Sequence, residues 1–313
     1  MAAFSLRHFE GCDLEQVVGI WNQTLRRDPT DVGRFSRWLL GDDNYRPGPD
    51  SGFVVAVKAG QVVGFARAIV RYWPNDRLGL EPEDGWITVL AVHPEHQRGG
   101  IGRALLANAI DYLRGKGRRR IWACGNTGSA PGYVFPGVDR DAYAGGLHLF
   151  TKAGFVVDHE PVAMSRETID FDVARFHAEA WVKGKDITIE TLSPVRAQDF
   201  LLFMAESFPG DWNIAARQQI RSGRLHEVLI ARRGETIVGY CQWEGEHFGP
   251  FGVAAAERKA GIGAKLFVEA VRRIRAADGR SVWFNWADDA PARFYSRFGL
   301  APTRRFAILR MDL

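Results

Sequence analysis

The sequence is poor in cysteine. Three residues, Cys12, Cys124 and Cys241, are scattered through 313 positions, too few and too far apart for a disulfide framework or a CxxC metal knuckle. No His/Cys/Asp cluster has ligand spacing, so no metal is expected. No apolar run approaches the ~18 residues of a membrane-spanning helix. The opening stretch, MAAFSLRHFEGCDLEQ, lacks the apolar core and small-residue cleavage site of a secretory signal. Charge of one sign is also scarce. Lys+Arg 41 minus Asp+Glu 37 leaves +4, too small an excess to point to nucleic acid but suited to an anionic small molecule. These absences predict a cytoplasmic protein with no membrane or nucleic-acid partner. The hydrophobic share of 46% and the charged share of 25% are those of globular chains, and the length suggests two domains.

The chain repeats itself. VLAVHPEHQRGGIGRALLANAIDYL, from Val89, matches PFGVAAAERKAGIGAKLFVEAVRRI, from Pro250. Val92 pairs with Val253, Gly100 with Gly261, Ile101 with Ile262, Gly102 with Gly263 and Leu105 with Leu266, all at one offset (253 − 92 = 161). Trp122 and Trp283 keep the register. An ungapped match of this length implies tandem duplication. QVVGFARAIV (from Gln61) pairs with TIVGYCQWEG (from Thr236), and KAGFVV (from Lys152) with RFGLAP (from Arg297). The first half carries longer loops around Trp73–Asp84 and Thr127–Tyr143.

Each half predicts a strand (Phe4–Phe9; Ile187–Leu192), then amphipathic helices (Leu14–Leu25 and Val32–Leu40; Val195–Ser207 and Ile214–Ser222). A Gly-turned hairpin of alternating strands follows. A central strand then leads through a Gly-rich segment into a long helix whose apolar positions fall at i, i+4 steps. The expected class is α+β with a mostly antiparallel sheet flanked by helices. The expected division is 1–168, a linker helix over 169–184, and 185–313.

Gln97-Arg98-Gly99-Gly100-Ile101-Gly102 and Arg258-Lys259-Ala260-Gly261-Ile262-Gly263 both sit between a strand and a helix. Glycine lets backbone N–H groups turn inward, and a helix N-terminus adds about half a positive charge and unpaired donors. Such a loop cradles a diphosphate. Gln97 and Arg258 are placed to close their loops through side-chain hydrogen bonds. The loops are not Walker A, which needs Lys then Ser or Thr. Nor do they carry a Rossmann fingerprint, since the third glycine is replaced by Leu105 and Leu266.

The pattern [QR]-x-x-G-x-[GA] after a strand, followed by a long helix and later by F-Y-x-x-x-G, resembles the GNAT N-acetyltransferase superfamily, here in tandem. The architecture is similar to that of bacterial tandem GNAT proteins of the mycothiol-synthase type. The resemblance implies acetyl-CoA as cosubstrate, with its pyrophosphate on one or both loops. The residues implied are Val253, Arg258, Lys259, Ala260, Gly261, Ile262, Gly263 and Ala264 in the second half, and Val92, Gln97, Arg98, Gly99, Gly100, Ile101, Gly102 and Arg103 in the first. Asn285, ending the next strand, would contact the pantetheine or pyrophosphate. The basic clusters Arg118–Arg120 and Arg272, Arg273 and Arg275 are candidates for the 3′-phosphate, or solvated helix faces.

Acetyl transfer to an amine needs a polarising donor, a base and protonation of the leaving thiolate. Gly249-Pro250-Phe251-Gly252-Val253 reads as a bulged strand that frees backbone, with the Val253 N–H as the donor. Val89-Leu90-Ala91-Val92 reads as a regular strand. The resemblance makes Tyr295 the acid, and the first half has Phe150 there. Glu244 and Glu246, read on one face of a strand, are base candidates whose proximity would raise one pKa. His247 is a further candidate, and Asp84 aligns nearby in the first half. Trp73, Tyr133, Phe135 and Tyr143 either form part of an acceptor pocket or pack over the domain junction. The expected activity is direct acetyl transfer to a small primary amine in a ternary complex of the second half. The protein would be a monomer with an internal pseudo-dimer, or a homodimer. A non-catalytic acetyl-CoA-binding regulator and a protein or peptide acetyltransferase stay open as alternatives.

Overall fold

The computed structural model describes residues 4–75, 77–126, 128, 130–176 and 186–313. In chain order the first elements are β1 (Ser5–His8), α1 (Leu14–Thr24), α2 (Val32–Phe35), β2 (Phe53–Lys58) and β3 (Gln61–Ile69). Then come β4 (Asp84–Val92), α3 (Ile101–Gly115), β5 (Arg120–Ala123), β6 (Val138–Asp139), α4 (Ala144–Lys152) and β7 (Val156–His159). After β8 (Val162–Glu167) the second half lays down β9 (Ile187–Thr191), α5 (Ala197–Ser207), α6 (Asp211–Arg221), β10 (Val228–Arg233), β11 (Thr236–Glu244) and β12 (His247–Val253). It ends with α7 (Ile262–Ala276), β13 (Ser281–Ala287), α8 (Asp289–Ser296) and β14 (Ala301–Asp312).

The chain forms two compact units that are not sequential. One comprises 1–161 with 304–313, the other 162–303. Residues 162–168, expected in the first domain, thus lie in the second unit, and 304–313, expected in the second, lie in the first. In the first unit β14 pairs with β5, Arg310 opposite Trp122. In the second β8 pairs with β13, Ser165 opposite Trp283. Ser165 and Arg310 stand 145 positions apart, the same spacing as Phe150 and Tyr295. Each half has given its last strand to the other unit's sheet. The alternating pattern of a strand specifies its buried face and not which of two like sheets it completes, so the sequence is silent on the exchange. Of the segment expected as a linker helix, residues 177–184 lie outside the described residues, and 169–176 run as turns and irregular backbone.

Within each unit the strands follow the same order. β1, β2, β3 and β4 pair antiparallel in turn, and β4 meets β5 in parallel. β9, β10, β11 and β12 repeat this, and β12 meets β13 in parallel. The sheets are mixed and mostly antiparallel. The long helices pack on one face: Ile101, Leu105, Ala109 and Leu113 of α3 are buried, as are Ile262, Leu266, Ala270 and Ile274 of α7. α7 also buries Phe267 and Val271 against Phe248, Phe284 and Phe298. α5 covers the opposite face of β10 and β11, where Phe200, Phe203 and Met204 meet Ile230 and Tyr240.

Candidate active site

The two Gly-rich loops share one backbone. Arg98 and Lys259 have φ of 61° and 67°, and Gly100 and Gly261 have φ of 86° and 87°. The left-handed turn immediately before each helix is what demands glycine there. The Gln97 Nε2 donates to the Val92 carbonyl at 3.0 Å, and the Arg258 Nε to that of Val253 at 3.2 Å, so both loops are closed by the same bond. The first backbone bond into α7 runs from the Lys265 N–H to the Gly261 carbonyl, and into α3 from Ala104 to Gly100. The N–H groups of Ile262, Gly263 and Ala264, like those of Ile101, Gly102 and Arg103, therefore stand at a helix mouth without helical partners. A Cβ added at Gly100 would meet nothing within 4 Å, whereas one at Gly263 would come within 2.9 Å of the Phe251 ring. The cradle fits a diphosphate: open space, converging amides and the positive end of a 15-residue helix.

In the second unit this mouth opens on a cavity of about 610 Å³. Val253, Arg258, Lys259, Gly261, Ile262, Gly263 and Ala264 line it, while Ala260, Asn285, Glu244, Glu246, His247 and Tyr295 are not among the lining residues. Sequence reading missed Phe208, Trp212, Pro291, Phe294 and Arg297 in its wall. The one hint was the Phe208-Pro209-Gly210 break between two helical patterns. Phe208 and Trp212 press on Gly252, where an added Cβ would lie 2.4 Å from the Phe208 ring.

The central strands part where chemistry would occur. β12 is parallel to β13 only at His247–Trp283 and then diverges. β12 carries one extra residue between Phe248 and Phe251, around a cis Gly249–Pro250 bond. Ala254 donates to Val238 across the ladder, which makes the neighbouring Val253–Gly239 a non-hydrogen-bonded pair. The Val253 N–H therefore points away from β11, into the gap. The first unit differs from its sequence expectation, because β4 is also bulged: Val89 faces Arg67 and Ile87 faces Ala68, leaving Thr88 over. No Pro or Gly marks this bulge. The Thr88 hydroxyl sustains it by bonding the buried Arg67 guanidinium at 3.2 Å and bending back to the Arg67 carbonyl.

The carboxylate candidates do not share a strand face: Glu244 ends β11 and Glu246 lies in the turn after it. Gly245 and Glu246 form the two-residue turn between β11 and β12. Glu244 is paired with Arg224 at 2.6 Å. Glu246 accepts from the Arg280 and Ser281 amides and from the Ser281 hydroxyl. These bonds, the hydroxyl's first, hold its carboxyl below the usual range rather than above it. His247 is different. It is half-buried against the Trp283 ring, 4.6 Å between centroids, and desolvation lowers its pKa below 6.5. On the other face of the sheet Tyr295 is boxed by Phe284, Phe294 and Phe267 at 4.4, 5.1 and 5.4 Å. Burial pushes its phenol up, and among the described residues no side-chain hydrogen bond holds its hydroxyl.

The first unit fills the same positions with inert groups. Trp86 pairs with Trp122 where His247 pairs with Trp283, each shifted by 161 (247 − 86; 283 − 122). Trp86 is fully buried, its Nε1 donating to Asn126. Phe150 is core. Asp84 is consumed by Arg120 and by the Trp122 indole at 2.7 Å. Of the loop aromatics, Phe135 and Tyr143 pack on the unit's own core around Trp21 and Phe65, Tyr133 lies against Gly125, and Trp73 is 62% exposed. The basic clusters are largely spent internally. Arg272 and Arg273 bind Glu269, Arg275 reaches the Phe171 carbonyl, and Arg118 binds the Pro82 carbonyl. Among the described residues no group of three or more His, Cys, Asp or Glu could hold a metal, and no helix is long and apolar enough to cross a membrane.

Residues 18–133 match the model of the acetyltransferase (GNAT) family. That stretch is a GNAT-family domain. A mycothiol acetyltransferase of Corynebacterium glutamicum is 28% identical over 234 residues, covering 70% of this chain and 73% of that one. Streptothricin acetyltransferase of Streptomyces lavendulae is 34% identical over 105 residues, 31% of this chain and 51% of that one. Among solved structures, a tandem GNAT protein of the clavulanic acid biosynthesis pathway superposes with a TM-score of 0.64 at 17% identity, covering 99% of this chain and 98% of that one. A GCN5-related acetyltransferase of Sphaerobacter thermophilus gives 0.70 at 17% identity, covering 99% and 95%. The chain thus carries a GNAT acetyltransferase domain, of a family that uses acetyl-CoA, and has the fold of tandem GNAT proteins. The family model matches the first half, whereas the titratable groups at the parted strands lie in the second.

Proposed function

We propose that the second unit transfers acetyl from acetyl-CoA directly to a small primary amine, and that the first unit is a duplicate without proton-transfer groups. The amine nitrogen attacks the thioester carbonyl, whose oxygen takes a hydrogen bond from the Val253 N–H. The C–S bond breaks as the C–N bond forms. His247 takes the ammonium or amine proton, and the Tyr295 hydroxyl gives its proton to the departing sulfur. The observation that carries this reading is the contrast in equivalent positions, His247 and Tyr295 against Trp86 and Phe150. An imidazole with a lowered pKa is neutral at pH 7 and free to accept a proton, whereas Glu244 and Glu246 are engaged in bonds that stabilise their charge. A buried phenol stays protonated and can donate. The mycothiol and streptothricin acetyltransferase relatives support a small-molecule acceptor. A covalent acetyl-enzyme is disfavoured, since burial pushes Cys124 up to about 12 and raises Cys241 as well.

The base assignment has a pH signature. Since the His247 pKa is lowered, kcat/KM should rise with pH along an acidic limb centred below 6.5 and level off above it. His247→Gln should remove that limb and lower kcat by about 10²- to 10⁴-fold. Thiol release measured from pH 5 to 8 with any turned-over amine checks this. A limb that persists in the variant assigns the base elsewhere.

A further inference from the structure

β11 carries two polar atoms that folding leaves without partners. The Tyr240 hydroxyl and the Gln242 Oε1 are both shut off from solvent, with no hydrogen-bond partner among the described residues. Tyr240 is 0% and Gln242 5% exposed. Residues i and i+2 of a strand share a face, so the two atoms lie on the face that α5 covers. Tyr240 stands opposite Gly252, its ring 5.5 Å from Phe208 and 6.3 Å from Trp212. Gly252, Phe208 and Trp212 all line the cavity, so the Tyr240 ring lies directly behind its wall.

An orphaned buried hydroxyl is costly, and the duplication shows that the fold does not need it. Gly64-Phe65 of β3 aligns with Gly239-Tyr240 of β11. Phe65 is equally buried, in an apolar cluster with Trp21, Phe35 and Phe53. The first unit keeps a phenyl ring, and the second, whose helix mouth opens on the cavity, adds an oxygen. At the next position on that face the first unit has Arg67, whose two Nη atoms donate to Thr88 and the Leu39 carbonyl while its Nε is left without a partner among the described residues. The second has Gln242, with a carbonyl oxygen to spare. Neutral Tyr240 lacks an acceptor, and Gln242 Oε1 lacks a donor. A hydroxyl group is both at once, and an amine N–H suits the glutamine oxygen.

We propose that Tyr240 and Gln242 form the polar end of the acceptor subsite, reached past Phe208 and the half-exposed Trp212, and that the acceptor is a small amine bearing at least one hydroxyl group. Its C–H faces meet the aromatic wall while its hydroxyl satisfies Tyr240 and Gln242. This deepens the amine-acetylation reading and rests on it.

The test compares amines with their deoxygenated counterparts: 2-aminocyclohexanol with cyclohexylamine, and glucosamine with its deoxy analogues. Binding to the full-length protein saturated with CoA is followed by NMR titration, and thiol release from acetyl-CoA is measured separately. At least one hydroxylated member should bind about tenfold better than its counterpart. Tyr240→Phe should reduce that ratio to about one and leave binding of the deoxygenated amine unchanged. The variant recreates the aromatic of the first unit, so its melting temperature should be equal or higher. Gln242→Leu should give the same loss of preference. Absence of any hydroxyl preference in the unmodified protein overturns the inference, as does a preference that survives Tyr240→Phe. So does a lowered melting temperature with unchanged binding, which would show the hydroxyl held by an internal water. Hydroxyl-selective binding with no thiol release from any amine would sink the transferase reading while leaving the subsite intact.

Discussion

Gly261→Glu should abolish acetyl transfer, with kcat/KM for acetyl-CoA falling more than about 100-fold, while Gly100→Glu should leave it within about twofold. Two effects add at position 261. The left-handed φ of 87° costs a side-chain-bearing residue about 1–2 kcal/mol, and a carboxylate enters a mouth built from helix-terminal amides, where it repels the phosphates it replaces. Because Gly261 lines the cavity and not the core, the substitution need not break the surrounding core. Loss of activity with a modest drop in melting temperature is therefore the expected pair of results. At Gly100 the φ is 86° and an added Cβ meets nothing within 4 Å, so the backbone strain is the same. Only the consequence for catalysis differs, because Trp86 and Phe150 leave that unit without proton-transfer groups. Thiol-release kinetics and a thermal melt of both variants check this. If Gly100→Glu is the inactive one, the active unit has been misassigned.

Tyr295→Phe should lower kcat by about 10²- to 10⁴-fold with little change in KM for acetyl-CoA. The ring would keep its packing on Phe284, Phe294 and Phe267, so the aromatic box survives. The hydroxyl gives up no side-chain hydrogen bond among the described residues, so stability should hold or rise. A measured kcat within threefold of the unmodified protein would remove Tyr295 from the mechanism. Because the phenol pKa is raised well above 10, the acid should stay protonated across the usable range, and no alkaline limb from Tyr295 is expected below pH 9. This separates its signature from that of His247, whose limb lies on the acidic side.

Much of this architecture is written locally in the chain. The duplication, the left-handed turns at Gly100 and Gly261, and the buried stripes of α3 and α7 all follow from residue type and spacing within about thirty positions. The contrast between Tyr295 and Phe150 is equally local, since it needs only the alignment of two short helices. The contrast between His247 and Trp86 was harder to read. Glu244 and Glu246 draw attention as carboxylates. That Gly245-Glu246 would be the turn, and that Arg224 and Ser281 would claim both acids, depends on partners 20 and 35 residues away. The bulge at Thr88 escaped because it is upheld by a buried arginine on the neighbouring strand and not by a glycine or proline in its own.

The sequence by itself therefore determined the repeat, the glycine-turned helix mouths and the contrast of Tyr295 with Phe150, because helix periodicity, turn chemistry and side-chain identity act over short range. Only the tertiary structure decided which groups remain available. An ion pair engaged Glu244, amide and hydroxyl donors engaged Glu246, burial lowered the pKa of His247, and strand exchange completed each sheet with the other half's last strand. It also showed the unpartnered oxygens behind the aromatic wall, because whether a polar atom finds a partner is settled by what packs against it across the fold.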